Sequence, residues 1–262
     1  MSTVIFIPAR YASTRYPGKP LVELRGATGI AKTLIQRSWE AAKEVKGVDA
    51  IYVLTDDDRI AEAARGFGAD VLMTSSDARN GTERCAEGAA QLPSPPDVIV
   101  NLQGDAPLTP PWFVEALVSA MEDPAVQMAT PVLRCDAETL TNFVTDRQNG
   151  RVGGTTAVMR DDGQALYFSK EVLPYVGDLN NAPEVWHHVG VYAYRPQALS
   201  LYAAWPEGPL EKAEGLEQLR FLFNGAPVTC VPVEAPGRVF WELNNPVDVE
   251  RIESVLKKEN TA

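Results

Sequence analysis

The stretch IPARYASTRYPGKP, residues 7 to 20, places three fixed cations, Arg10, Arg15 and Lys19, directly after the apolar run Val4-Ile5-Phe6-Ile7. Ala12, Ser13, Thr14 and Gly18 are interleaved with them. Small side chains let a phosphate approach backbone N–H groups and cations oppose its charge, so the combination suits a triphosphate. It is neither of the commoner phosphate loops. A P-loop needs Gly where Ser13 stands and Ser or Thr where Pro20 stands, and the dinucleotide fingerprint needs more glycines than Gly18. Pro17 and Pro20 bracket Gly18-Lys19 and stiffen the backbone. From spacing alone, a solvated surface loop accounts for the cations equally well.

A second candidate is Asp105 in VNLQGDAP, just past the apolar run Val98–Leu102. Gly104 permits close backbone approach, and a carboxylate there is in position to hold Mg²⁺ against phosphate oxygens. Gly-Asp-Ala-Pro also reads as a plain turn. The chain's two histidines, His187 and His188, adjoin the strand-like VGVYAY, in which Tyr192 serves packing or ligand binding equally well.

These cations stand in an acidic chain. Lys and Arg number 24 against 35 Asp and Glu, a formal net charge of -11 over 262 residues. Such a field repels nucleic acid and anionic membrane surfaces, so no nucleic-acid partner and no membrane insertion are expected, and an anionic ligand must be met by a local cluster. The three cysteines, Cys85, Cys135 and Cys230, are odd in number and far apart, which fits neither a disulfide framework nor a zinc site and suits a reducing cytoplasm. The N-terminal residues lack the pattern of a signal peptide, and no apolar run reaches the ~18 residues of a membrane span.

The elements that must position these residues emerge from periodicity. Short β-branched runs at Val4–Ile7, Ala50–Leu54, Val71–Met73, Val98–Leu102 and Gln127–Pro131 alternate with helical patterns at Ile30–Lys43, Asp58–Gly66, Thr82–Gln91 and Trp112–Met121. That rhythm predicts an α/β fold with a mostly parallel central sheet, whose ligands bind beyond the strands' C-terminal ends. The later part reads as a helix over Asp136–Phe143, strands at Thr155–Met159, Ala165–Phe168 and Val189–Tyr194, and helices at Pro196–Ala204 and Leu216–Phe223. A strand at Val228–Val233 and a helix at Pro246–Lys258 complete it. With no linker evident, a single domain over 1–262 is expected, with an excursion from the sheet bounded by Gly177–Pro183.

IPARYASTRYPGKPL resembles the signature loop of the 3-deoxy-manno-octulosonate (Kdo) cytidylyltransferases, in the sugar nucleotidyltransferase superfamily. YVLTDDDRIAEAARGFGADVLMTSSDARNGTER, VNLQGDAPL, ALYFSK, HHVGVYAYR and GLEQLRFL match in order, so the resemblance covers nearly the whole chain. It implies a Rossmann-like nucleotide-diphospho-sugar transferase fold, a homodimer with its contact around residues 170–205, and CMP transfer from CTP to the anomeric hydroxyl of a 2-keto-3-deoxy sugar acid. Pyrophosphate would leave, in the service of lipopolysaccharide or capsule assembly. Arg10, Lys19 and Asp105 would be catalytic. Ala9, Arg10, Ser13, Arg15, Lys19, Thr74, Ser75, Gly81 and Thr82 would meet the nucleotide. Arg84, Gln103, Lys170, His188, Tyr192 and Glu217 would meet the sugar acid, and Asp105 with Asn244 would hold Mg²⁺.

The chain departs from the family pattern in places. Asn244 stands where the family has a second metal-binding Asp, with Glu242 as the alternative ligand, and Lys170 replaces the more usual Arg, which keeps the charge but loses a bidentate fork. RVGGTTAVMR lacks a basic residue usual in that strand, and LRGATGIAKTLI departs from the usual GKPMI. These changes leave open an 8-amino-Kdo or a nonulosonate as substrate, or a non-catalytic nucleotide-binding homologue. Asn80-Gly81-Thr82 reads equally as a helix cap, and Glu217 as a solvated helix face.

Overall fold

The computed structural model describes residues 1–12, 16–152, 154–236, 242–243 and 245–258. In chain order these form β1 (Thr3–Pro8), a 3₁₀ turn (Lys19–Leu21), β2 (Glu23–Arg25), β3 (Ala31–Thr33), α1 (Leu34–Lys43), β4 (Ala50–Thr55), α2 (Asp58–Gly66), β5 (Asp70–Met73), α3 (Gly81–Ala90), β6 (Val98–Leu102) and α4 (Pro111–Ala120). Next come β7 (Met128–Arg134), α5 (Ala137–Gln148), β8 (Thr155–Met159), β9 (Ala165–Ser169), a 3₁₀ turn (Leu179–Asn181), β10 (Trp186–His188), β11 (Val191–Tyr194), α6 (Pro196–Ala204), α7 (Pro209–Glu214), α8 (Leu219–Phe223), β12 (Thr229–Val233) and α9 (Asp248–Lys258). They divide into two compact units, residues 1–115 with 235–262, and residues 116–234.

In unit 1 the strands run β5-β4-β1-β6, and every pairing is parallel. Parallel order results from the crossover helices between successive strands. β1 and β6 are buried at every position, as strands covered on both faces must be. Thr33, Asp57 and Asn80 cap the helices α1, α2 and α3 by accepting from backbone N–H groups of the first turns. The helix predicted from Ile30 starts later, at Leu34, because Ala31–Thr33 pairs antiparallel with Glu23–Arg25 and Thr33 is the cap of α1. Against this hairpin Leu24, Leu34, Leu108, Leu243, Ile252 and Leu256 form a buried cluster that docks α9.

Unit 2 is mixed. β7 pairs antiparallel with β10 and β11 and parallel with β12, and β10-β8-β9 continue antiparallel. The strand predicted over Val189–Tyr194 begins two residues later, as β11, and β10, which sequence pattern missed, precedes it. The helix predicted over Leu216–Phe223 is confined to α8, and α7, which sequence periodicity missed, precedes it. A buried ion pair fixes the two: Arg220 Nε and Nη2 lie 2.7 and 2.6 Å from Glu211 Oε2 and Oε1. The guanidinium also lies over the Tyr202 ring at 4.0 Å, and Tyr202 Oη donates to Glu211 Oε1. That clamp presents the connecting turn, residues 215–218.

His188 is buried inside this unit, 6% exposed, between the rings of Phe168 and Tyr192 at centroid distances of 5.0 and 5.6 Å. Loss of hydration disfavours its charged form and pushes its pKa down to about 3. His187, which keeps an edge at the surface, is pushed down to about 4 by the same cause. Both imidazoles are therefore neutral at pH 7. Thr130 Oγ1 lies 3.0 Å from His188 Nε2 and within reach of the carbonyls of Val189 and Val191 at 3.1 and 2.9 Å. The hydroxyl has one proton for those carbonyls, so Nε2–H donates to Oγ1 and Nδ1 is left as the ring's acceptor. Since the unfolded histidine binds its proton near pH 6.5 and the folded one does not, stability falls as pH drops from about 6.5 towards about 3. The expected loss from His188 is on the order of 2 kcal/mol at pH 5. Thermal melts from pH 7.5 to 4.5 should show it, with a shallower slope in His188→Gln; equal slopes would refute a neutral buried imidazole.

Candidate functional site

The loop after β1 begins with Ala9, buried and still paired to β4 by its N–H to Leu54 O at 2.8 Å. Arg10 is exposed, with Nη1 3.4 Å from Arg79 O. The loop closes where Gly18 N–H donates to Tyr11 O at 2.9 Å, and the Tyr11 ring carries the Arg59 guanidinium at 3.4 Å. Ser13 and Arg15 lie outside the described residues. Lys19 opens the 3₁₀ turn and reaches across to β6's end, where its Nζ donates to Asp105 Oδ2 at 2.6 Å.

That meeting depends on Gly104. A Cβ at residue 104 would stand 2.8 Å from Pro8 O, closer than real side chains come, so only glycine lets the chain after β6 pass this near to β1's end. Ser38 Oγ anchors the turn by donating to Gly104 O at 3.0 Å. Leu243 N–H donates to the backbone carbonyl of Asp105 at 2.9 Å, which ties residues 242–243 to the backbone of the turn after β6. Glu242 is half-buried; Asn244 lies outside the described residues. Magnesium takes hard oxygen donors, commonly one or two carboxylates plus substrate phosphates. Asp105 supplies one such carboxylate, and the described residues contain no cluster of three or more His, Cys, Asp or Glu that could hold a metal ion.

The loops after β4 and β5 carry the remaining candidate residues of unit 1's strand ends. Thr74 N–H extends the β4 pairing to Thr55 O at 2.9 Å, and Ser75 N–H donates to Glu87 Oε2 at 2.6 Å. Arg84 is turned inward, 3% exposed. Its guanidinium pairs with Asp56 at 3.0 Å and donates to Thr74 Oγ1, so it fixes Thr74. Asn80 does cap α3, accepting from Glu83 N–H at 2.9 Å, which leaves Gly81 as the helix's first residue and Thr82 buried. Gln103 lies against Gly81 and donates to Asn101 Oδ1 at 3.3 Å.

In unit 2, Lys170 directly succeeds β9, its N–H held by Glu214 Oε2 at 2.9 Å while Ser169 Oγ donates to Glu214 Oε1 at 2.7 Å. Its Nζ lies over Gly215, 2.9 Å from where a Cβ would be. The same turn carries Glu217, half-buried, and Gln218, 1% exposed, whose Oε1 accepts from Tyr192 Oη at 3.2 Å. The Tyr192 ring in turn packs on that of His188, with centroids 5.6 Å apart. Gln218 and Asp56 escaped sequence reasoning because their roles arise from burial; Asn101, a polar residue in an apolar strand, carried a visible signal. Elsewhere on unit 2 a depression of about 510 Å³ lined by Arg160, Glu184, Trp186 and Cys230 contains none of these residues.

Comparison with known proteins identifies the family. The sequence profile of the cytidylyltransferase family matches residues 4–235. The 3-deoxy-manno-octulosonate cytidylyltransferase of Maricaulis maris is 40% identical over 260 residues, covering 99% of this chain and 98% of its own. The 8-amino-3,8-dideoxy-manno-octulosonate cytidylyltransferase of Shewanella sediminis is 39% identical over 265 residues, covering 98% and 99%. The solved structure of a CMP:2-keto-3-deoxy-manno-octonic acid synthetase complexed with CTP superposes with a TM-score of 0.85 at 35% identity, covering 99% of this chain and 100% of the other. The chain belongs to the cytidylyltransferase family, among its 3-deoxy-manno-octulosonate members.

Proposed function

We propose that this chain transfers CMP from CTP to the anomeric hydroxyl of 3-deoxy-manno-octulosonate and releases pyrophosphate. The observation that carries the reading is the meeting of Lys19 and Asp105 at 2.6 Å, beyond the ends of β1 and β6. An ammonium and a carboxylate at one strand-end edge are the groups that a triphosphate and its metal need. Arg10 and Lys19 oppose the phosphate charge, with Ser13 and Arg15 assigned to the same loop by resemblance. Resemblance assigns the base and ribose to Thr74 and Ser75, held by Arg84 and Glu87, together with Gly81 and Thr82.

When the nucleotide enters, Lys19 exchanges Asp105 for phosphate oxygens, and the freed Asp105 oxygen becomes available to Mg²⁺. Asp105 would hold that ion with Glu242 or Asn244, and when bound it supplies charge neutralisation on the phosphates. The chain's further contribution is orientation: the sugar oxygen must stand in line with the bond to the leaving pyrophosphate. Lys170 meets the sugar carboxylate as a single point charge, and neutral His188, Tyr192, Gln103 and Glu217 hydrogen-bond its hydroxyls.

A second reading, transfer to the 8-amino sugar, is favoured by one feature, Lys170 in place of the more usual Arg. We place the enzyme in the cytosol, where it would serve lipopolysaccharide or capsule assembly. Its thiols are free, with burial pushing Cys135 up to about 11 and Cys230 up to about 12. No helix among the described residues is long and apolar enough to cross a membrane. We further infer a homodimer, supported by the exposed apolar residues Leu166, Tyr175 and Leu179, 57%, 85% and 44% exposed, on β9 and the segment after it.

Asp105→Asn is expected to lower turnover about 10²- to 10³-fold, the usual loss when one charge-stabilising group is removed, while the melting temperature stays within a few degrees; undiminished pyrophosphate release would remove Asp105 from the mechanism. With CTP and a panel of 3-deoxy-manno-octulosonate, its 8-amino analogue and a nonulosonate, the first should give the highest kcat/KM. Preference for another acid would replace the substrate, and CTP binding without turnover on any acid would mark a non-catalytic homologue. Sedimentation equilibrium should return twice the chain mass, shifting to one in Tyr175→Arg with Leu179→Asp; a monomeric wild type would refute the dimer.

A further inference from the structure

Strand β6 is apolar except at one position: Val98-Ile99-Val100-Asn101-Leu102 is buried throughout, and Asn101 is 0% exposed. Side chains two apart along an extended chain share a face, so Asn101 and Gln103 project together. They meet, Gln103 Nε2 donating to Asn101 Oδ1 at 3.3 Å. The third member is Gly81. A Cβ there would stand 3.0 Å from Gln103 Nε2, 3.2 Å from its Oε1 and 3.3 Å from Asn101 Nδ2, so α3 begins seated directly on both amides. Asn101 Nδ2 has no hydrogen-bond partner among the described residues. A buried donor without an acceptor is costly, and packing alone would be better served by an apolar side chain in this strand.

We infer that Asn101 is a positioning residue for the sugar acid, acting through Gln103. Its amide can hold Gln103 in either of two orientations, accepting through Oδ1 or donating through Nδ2. Each orientation turns the opposite hydrogen-bonding sense of Gln103 towards a ligand. In the folded chain the first orientation is formed and the Nδ2 donor is in reserve for the second. Gly81 closes the third side, so the amide can turn over but cannot swing away. Asn101 thereby ties the residue that meets the sugar to the helix start that meets the nucleotide.

This inference rests on the proposed transfer reaction. The test is steady-state kinetics with CTP and 3-deoxy-manno-octulosonate, together with thermal melts, on the wild-type enzyme, Asn101→Leu, Asn101→Ala, Gln103→Ala and the Asn101→Leu/Gln103→Ala double variant. Asn101→Leu keeps the side-chain shape and removes the orphan donor. It should melt at or above the wild-type temperature and yet raise the sugar-acid KM about tenfold, the weight of one hydrogen bond, with the CTP KM unchanged. The double variant should be no worse than Gln103→Ala. An unchanged sugar KM, additive losses, or a fall in stability that accompanies every kinetic change would overturn the inference. If Asn101→Leu does not fold, Asn101→Ala is read in its place, and failure of both marks a purely structural residue and overturns it too. Absence of turnover in the wild-type enzyme would overturn the proposed function with it, whereas failure confined to the variants overturns this inference alone.

Discussion

Close approach of two backbones governs how the loop after β1 meets the turn after β6. The chain leaving β6 passes so near to Pro8 that a single methylene at residue 104 would lie 2.8 Å from its carbonyl oxygen. Were the strands held further apart, Lys19 could not reach Asp105. The pair itself contributes little to folding: the side chains keep 14% and 26% of their surface, and ion pairs with access to water are worth at most about 1 kcal/mol. The loop is held elsewhere, by the Gly18–Tyr11 closure, the Arg59 guanidinium on the Tyr11 ring and the buried Pro20. Geometry is therefore secured by contacts that need not change, while the charges that must change partners are joined by one that can.

The same separation explains how a chain of net charge -11 can receive an anion. Several of its exposed arginines are neutralised by a carboxylate a few residues away, as Arg59 is by Asp57, Arg151 by Asp146 and Arg160 by Asp162. Mutual hydrogen bonding holds Asp57 and Asp162 below the usual carboxylate range and raises Arg59 and Arg160. Such pairs present no net field at a distance of a Debye length. Arg10 and Lys19 stand out because Arg10 leans on a carbonyl and Lys19 on a carboxylate it can exchange.

Sequence reasoning reached the strands of unit 1 within a residue or two because β-branched runs in a parallel sheet are continuous and bounded by polar loops. Pro196–Ala204 and Asp58–Gly66 were legible to the residue, each opened by a proline or a capping aspartate. It failed where local pattern and tertiary pairing disagree. Ala31–Thr33 has no strand signal of its own and is extended because Glu23–Arg25 lies beside it. α7 is short, and its identity rests on the burial of Glu211 against Arg220, which no periodicity announces. In the site, the charges of the first loop and Asp105 were legible as types at a strand end. The inward turn of Arg84 was not, since an arginine in TER reads alike whether it faces solvent or a buried aspartate.

The cations assigned to the two units differ in their surroundings, and burial accounts for the difference. Unit 1 uses exchangeable and exposed cations, as a triphosphate of high charge requires. Unit 2 surrounds its candidate residues with rings: His188 between Phe168 and Tyr192, then Tyr194 and Phe221 in succession. In such surroundings an imidazolium is too costly to form, so histidine serves as a neutral hydrogen-bonding group and the charge falls to Lys170, at the end of β9, where it is only half-buried. A lysine at that position binds a carboxylate as a point charge without fixing its plane. The neutral groups are each held by a buried partner, Tyr192 by Gln218, His188 by Thr130 and Gln103 by Asn101.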